Sequence, residues 1–152
     1  MKSQGEIEAA VCDGISKFQQ QFLGRGPRDI HAHLVGTLLV VRLQGVLTPA
    51  ERQLVAPVAS GGLSGDDDGA NGVHNGVHNG DGATDNGNGR ALLKQVRAHM
   101  MSTVRPRLAE IVEMAAGVKL LSVHHDISTI TGEELLVFSL AESPTCRPKR
   151  KP

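Results

Sequence analysis

GGLSGDDDGANGVHNGVHNGDGATDNGNG occupies residues 61–89, and its reading decides how everything around it is read. If it folds, the chain has a middle domain. If it does not, the two flanking segments have to complete each other. Its Gly and Asn content maximises backbone freedom, and ordering each residue would cost about 1–2 kcal/mol. Val73 and Val77 fall in a near-duplicate, GVHNGVHN, without periodic apolar partners. The stretch therefore reads as a disordered insertion within one domain. A coil of this kind spans roughly 30 Å root-mean-square. Closing it costs only about 1.6 kcal/mol more than closing a loop of about five residues, so a fold tolerates it. His74 and His78 recur four residues apart. A pair of imidazoles in a coil has no pre-formed metal site, and the repeat reads as expansion of a surface loop.

The totals agree with one domain. The chain has 152 residues, with sixteen basic and sixteen acidic side chains and formal net charge zero. That balance gives no whole-domain attraction to nucleic acid, and no nucleic-acid partner is expected. Setting aside the insertion and a polar tail at 142–152 leaves about 115 residues, enough for one modest core. Phe18, Phe22 and Phe138 are the only aromatic residues, so that core has to be aliphatic. Cys12 and Cys146 form no disulfide framework and no CxxC metal spacing. Cys12 reads as a small half-buried hydrophobe. The start, MKSQGEIEAA, lacks an apolar signal segment, and LLVV at 38–41 is too short to span a bilayer. A cytoplasmic chain is expected. No cofactor motif is present in the sequence.

Periodicity places the elements. Ile7, Val11, Ile15, Phe18 and Phe22 make one stripe of a helix over 6–23, stopped by Gly24, Gly26 and Pro27. Residues 29–46 predict a hairpin, with Ile30, Ala32 and Leu34 on one side, His31 and His33 on the other, and Gly36 and Thr37 in the turn. Thr48, Pro49 and Glu51 spell a capping box with Pro at N1, opening a short helix that ends near Pro57. After the insertion, Leu93, Val96, Met100, Val104, Leu108, Ile111 and Ala115 form the stripe of a helix over 90–116. Pro106 should kink or divide it, and Gly117 should stop it. Residues 118–128 and 134–140 form a second hairpin around Thr131 and Gly132, with Leu121, Val123, His125 and Ile127 sharing one face. The order is α-β-β-α-α-β-β. It implies an α+β domain over 1–141, a four-stranded antiparallel sheet with helices on one face. The other face would stay wet or be covered by a second copy, and a homodimer is expected. Residues 142–152 are expected as a disordered basic tail.

Three pieces then combine: GRGP at 24–27, GVLTPAE at 45–51, and the run GVK, HHDIST, TGE and VF within 117–138. In this succession the chain resembles the MpsC-like family, named for a Na+-translocating, membrane-potential-generating system. The resemblance covers nearly everything outside the insertion and the tail. It implies a small soluble partner of a membrane ion or bicarbonate/CO2 uptake system, peripheral to the membrane, with no enzymatic activity to carry over. Short relatives pass almost directly from the TPAE helix to the long helix, so the insertion is this chain's departure from the pattern.

The residues themselves offer two weaker chemistries. Arg25 in a rigid turn and Arg42 on a strand suit an anion, with His31 and His33 beside them, which gives a small-anion sensor as the alternative function. His124 and Asp126 share one strand face while His125 points away, so at most these two converge on a metal, the basis of a metal-dependent enzyme as third reading. Thr48, Pro49 and Glu51 are fully used by the cap. The basic run of the tail, Arg147, Lys149, Arg150 and Lys151, could touch an anionic lipid surface.

Overall fold

The computed structural model describes residues 1–56 and 85–149. Most of the 61–89 insertion lies outside the described residues. So do Pro57, His74 and His78, and Arg150 and Lys151 of the basic run.

The chain before the insertion contributes α1 (Gln4–Leu23), β1 (Asp29–Val35), β2 (Leu38–Gln44) and α2 (Pro49–Val55). The chain after it contributes α3 (Asp85–Ala116), β3 (Leu120–Ile127) and β4 (Glu134–Leu140). Each half supplies one hairpin, and the sheet order is β1-β2-β4-β3. The two halves meet at the sheet centre, where Leu39 pairs with Phe138, Val41 with Leu136 and Leu43 with Glu134. All three pairings are antiparallel. Neither hairpin closes a layer without the other, which is the physical sense in which the insertion interrupts one unit.

Both long helices pack on one face: α1 on β1, α3 on β3, and each on the other, while α2 rests on α3. α1 starts with a reciprocal capping box between Ser3 and Glu6 and ends at Gly24 in the left-handed conformation. Ile7, Val11 and Ile15 are fully buried beneath it, each stabilising the fold by about 1.5–3 kcal/mol. Phe22, expected on that stripe, is instead 46% exposed, stacked against Phe18 at 5.5 Å. The two-residue turn at Gly36 and Thr37 is as expected, with φ 61° at Gly36 between the paired Val35 and Leu38. So is the Thr48–Glu51 capping box with Pro49 in the first turn.

Further details differ from the sequence expectations. α3 begins at Asp85, five residues earlier than expected, and of the two effects expected of Pro106, a kink or a division, the division does not occur. Its buried stripe is Leu93, Arg97, Val104, Leu108 and Val112, while Val96 is 44% exposed. A shift in register at the start of β3, between Leu120 and Ser122, turns Leu120 toward the core and leaves Leu121 outside. The chain beyond Leu140, expected to be free, is tied down as far as Arg147: its N–H donates to the Lys2 carbonyl at 2.9 Å and it bridges Ser3. Pro144 is buried and Cys146 packs against the core, so the segment has apolar anchors that its polar composition conceals.

Candidate functional site

The deepest polar feature of the molecule is Arg97. Its side chain is 0% exposed, on the face of α3 that meets the sheet and α2. Nε and Nη2 grip both carboxylate oxygens of Glu51 at 2.7 Å each. Nη2 also donates to the Val46 carbonyl at 3.1 Å, and Nη1 donates to Glu134 Oε2 at 3.1 Å. Glu134 opens β4 and is itself 0% exposed; its other oxygen accepts from Gln19 Nε2 of α1 at 3.0 Å. One guanidinium thus joins α2, α3, β4, the β2–α2 turn and, through Glu134, α1. Arg suits this position because its planar fork meets a carboxylate with two parallel bonds.

Glu51 carries two duties. The same carboxylate that receives Arg97 accepts the Thr48 backbone N–H at 3.0 Å and completes the cap of α2. Burial by itself pushes the Glu51 carboxyl up, but the Arg97 and Thr48 bonds outweigh burial and hold it below the ordinary carboxylate value. α2 contributes no buried residue of its own, so the ion pair is its principal fastening. The sequence reading assigned Glu51 to the cap alone and missed Arg97, Glu134 and Gln19 altogether.

His125 stands behind this cluster on β3. Its side chain is 8% exposed, with Nε2 3.6 Å from Glu134 Oε2, too long for a hydrogen bond. Nε2 is buried without a hydrogen-bond partner.

The residues singled out in the sequence mostly lie on the opposite face of the sheet, which is helix-free among the described residues. Cross-strand pairing sets His33, Val40, Val137 and His124 in one row. The next row is His31, Arg42, Leu135 and Asp126. His31, His33 and Arg42 therefore do share a surface, but Arg42 is paired with Glu133 at 3.1 Å and His31 with Asp29 at 3.1 Å. Arg25 is not on this surface; its guanidinium donates to the Leu47 carbonyl at 3.3 Å. His124 and Asp126 sit together on the β3 edge, two strands away from β2 and three from the histidines of β1. Asp126 accepts from the Ile127 N–H and from Lys94, and these two bonds hold its carboxyl below the ordinary value. No group of three or more His, Cys, Asp or Glu able to hold a metal ion occurs among the described residues. Between the two charged edges runs an apolar strip, Leu38, Val40, Leu135 and Val137, continued by Val35 at 67% exposure.

A two-layer α+β unit, with one sheet face left uncovered by the described residues and an internal guanidinium–carboxylate hub, is the class that fold and site define. The family model described as "Na+-translocating membrane potential-generating system (MpsC)" matches residues 3–59 and 83–142, on both sides of the insertion. The chain belongs to that family. It is similar to "Uncharacterized protein YbcI" of Bacillus subtilis (strain 168), with 28% identity over 139 residues, 91% of this chain and 89% of that protein. No solved structure matches. No helix among the described residues is long and apolar enough to cross a membrane.

Proposed function

We propose that this chain is a non-enzymatic accessory or regulatory subunit of a Na+-translocating, membrane-potential-generating assembly, docking on a membrane-embedded partner through the helix-free face of its sheet. The observation that carries the reading is that face: an apolar strip with Val35 and Leu38 67% and 42% exposed, bordered by Arg42, His31 and His33 on one side and His124 and Asp126 on the other. Apolar centre and polar rim is the composition of a protein-binding surface. Strand spacing and rise give the face about 450 Å². Doubled across an interface, that is roughly 900 Å², below the 1,200 Å² of a stable standard complex and in the range of transient contacts. A regulatory subunit makes contacts of that kind, whereas an obligate dimer resting on this face alone falls short. The family's description supports looking for that partner in a membrane system.

The test is a deletion strain in which membrane potential is read with a voltage-sensitive dye. Loss of potential restored by the wild-type chain, but not by Val35→Glu/Leu38→Glu, is expected. Both side chains are exposed, so the variant should keep the wild-type melting temperature. An unchanged potential after deletion removes the proposal. Light scattering of the purified chain addresses the competing occupant: a stable dimer abolished by the same double substitution would give the face to a second copy.

A further inference from the structure

We infer that a second, independent site lies on the other side of the molecule: a cavity between α3 and β3 that binds a short-chain monocarboxylate. Ala98, Met101, Ser102 and Arg105 line it from α3, at the spacing of one helical face, and Val123 and His125 line it from β3; its volume is about 280 Å³. The lining divides into two chemistries. Met101, Val123 and Ala98 give an apolar wall for a short hydrocarbon tail. Arg105 and Ser102 give donors for a carboxylate. Arg105 is already oriented, because its Nη2 donates to the Leu121 carbonyl at 3.2 Å, and its guanidinium forms no ion pair among the described residues.

His125 is the second observation. Its side chain is more than nine-tenths buried, it lines the cavity, and its Nε2 has no hydrogen-bond partner. That atom faces Glu134 Oε2 at 3.6 Å rather than the cavity, so the ring serves the cavity as a wall and as a reporter of what enters it. Behind the ring stand Glu134 of β4 and, beyond it, Arg97 of α3 with Glu51 of α2. Arg105 of α3 lines the same cavity. The ring therefore separates an anion-poor, cationic cavity from the buried carboxylates. A monoanion beside Arg105 fits that charge pattern. A dianion such as phosphate does not, because its second charge would face Met101 and Val123.

Proton NMR of the full chain decides the matter, with the His125 ring resonances assigned by their absence in His125→Gln. Propionate should move those resonances saturably with a dissociation constant on the order of 1 mM, the range open to a ligand of so few atoms. Inorganic phosphate at equal ionic strength should leave them in place. Arg105→Gln, at an exposed residue whose loss leaves the fold intact, should weaken propionate binding about tenfold or more, the loss expected for a charge-assisted bond. Resonances that stay put at propionate on the order of tens of millimolar, that move equally with phosphate, or that move unchanged in Arg105→Gln overturn the proposal. The docking face is untouched by these substitutions, so either proposal can fail without the other.

Discussion

Arg97 and Glu51 are 46 residues apart in sequence, on opposite sides of the insertion, and are joined by two bonds of 2.7 Å with the guanidinium wholly buried. The pair closes the two halves of the chain chemically where β2 and β4 close them by backbone pairing. Two carboxylates share this one guanidinium, so removing it leaves Glu134 buried without its cation. Arg97→Met should cost about 3–5 kcal/mol, far more than a solvent-exposed ion pair is worth. Urea denaturation of Arg97→Met, Glu51→Gln and the double variant checks it. Coupling between the two sites should reach about 1.5–3 kcal/mol, as for a hydrogen bond to a charged group. Additive losses would mean that the pair is incidental.

Acid should loosen the same joint. The folded Glu51 carboxyl is held below the ordinary value of 4.5, so the folded state takes up this proton less readily than the unfolded chain. Its contribution is fully present above that value and is lost as pH falls through the lower folded one. Glu6 and Asp126 are shifted the same way by backbone N–H bonds, but both are exposed and screened, so Glu51 dominates. Stability measured from pH 7 down to about 3 should fall steeply below the ordinary carboxylate range in the wild type and less steeply in Glu51→Gln. Parallel curves would show that the acid limb belongs to other carboxylates.

The sequence made the hairpins, the caps and the single-domain reading visible because each is written locally. Ile7, Val11 and Ile15 repeat at helical spacing, and Thr48, Pro49 and Glu51 are a cap within four positions. Arg97 was hidden because a charged residue on a helix ordinarily reads as solvated. Its position four after Leu93 and seven before Val104 places it on the buried stripe, where the apolar pattern alone points to Val96 instead. Glu134, the first residue of a strand beside a turn, carries no local sign of burial either. Only pairing with Leu43 and Ile127, a long-range fact, turns it inward. The candidate residues His31, His33, Arg42, His124 and Asp126 share the face of the sheet opposite the core. Their separation onto opposite edges follows from the strand order, which no local signal encodes.

Gly45 supports the hub from the turn after β2. Its φ is +68°, and a Cβ there would stand 2.5 Å from the Arg28 Cβ. The next carbonyl, that of Val46, is an Arg97 acceptor. Gly45→Ala should therefore cost about 1–3 kcal/mol through backbone strain and the displaced carbonyl. Gly36→Ala shares the positive φ but meets nothing within 4 Å, so it should cost less. Melting temperatures of the two variants rank them, and the reverse order would count against a steric role for Gly45.

The segment after β4 is a strap, and its two kinds of contact make separable predictions. Arg147 reaches Glu6 at 3.3 Å, both more than half exposed, a pair worth at most about 1 kcal/mol. The backbone bond to Lys2, the buried Pro144 and the half-buried Cys146 hold the strap independently of that charge. Arg147→Ala should move the melting temperature little. A chain ending at Glu142 loses the apolar anchors as well and should melt several degrees lower, about 1–3 kcal/mol at the scale of partly buried aliphatic contacts. It should also show faster amide exchange in the first turn of α1, where the Lys2 carbonyl and Ser3 lose their partner. Unaltered exchange there, together with an unaltered melting temperature, would assign the docked strap no part in holding the N-terminus.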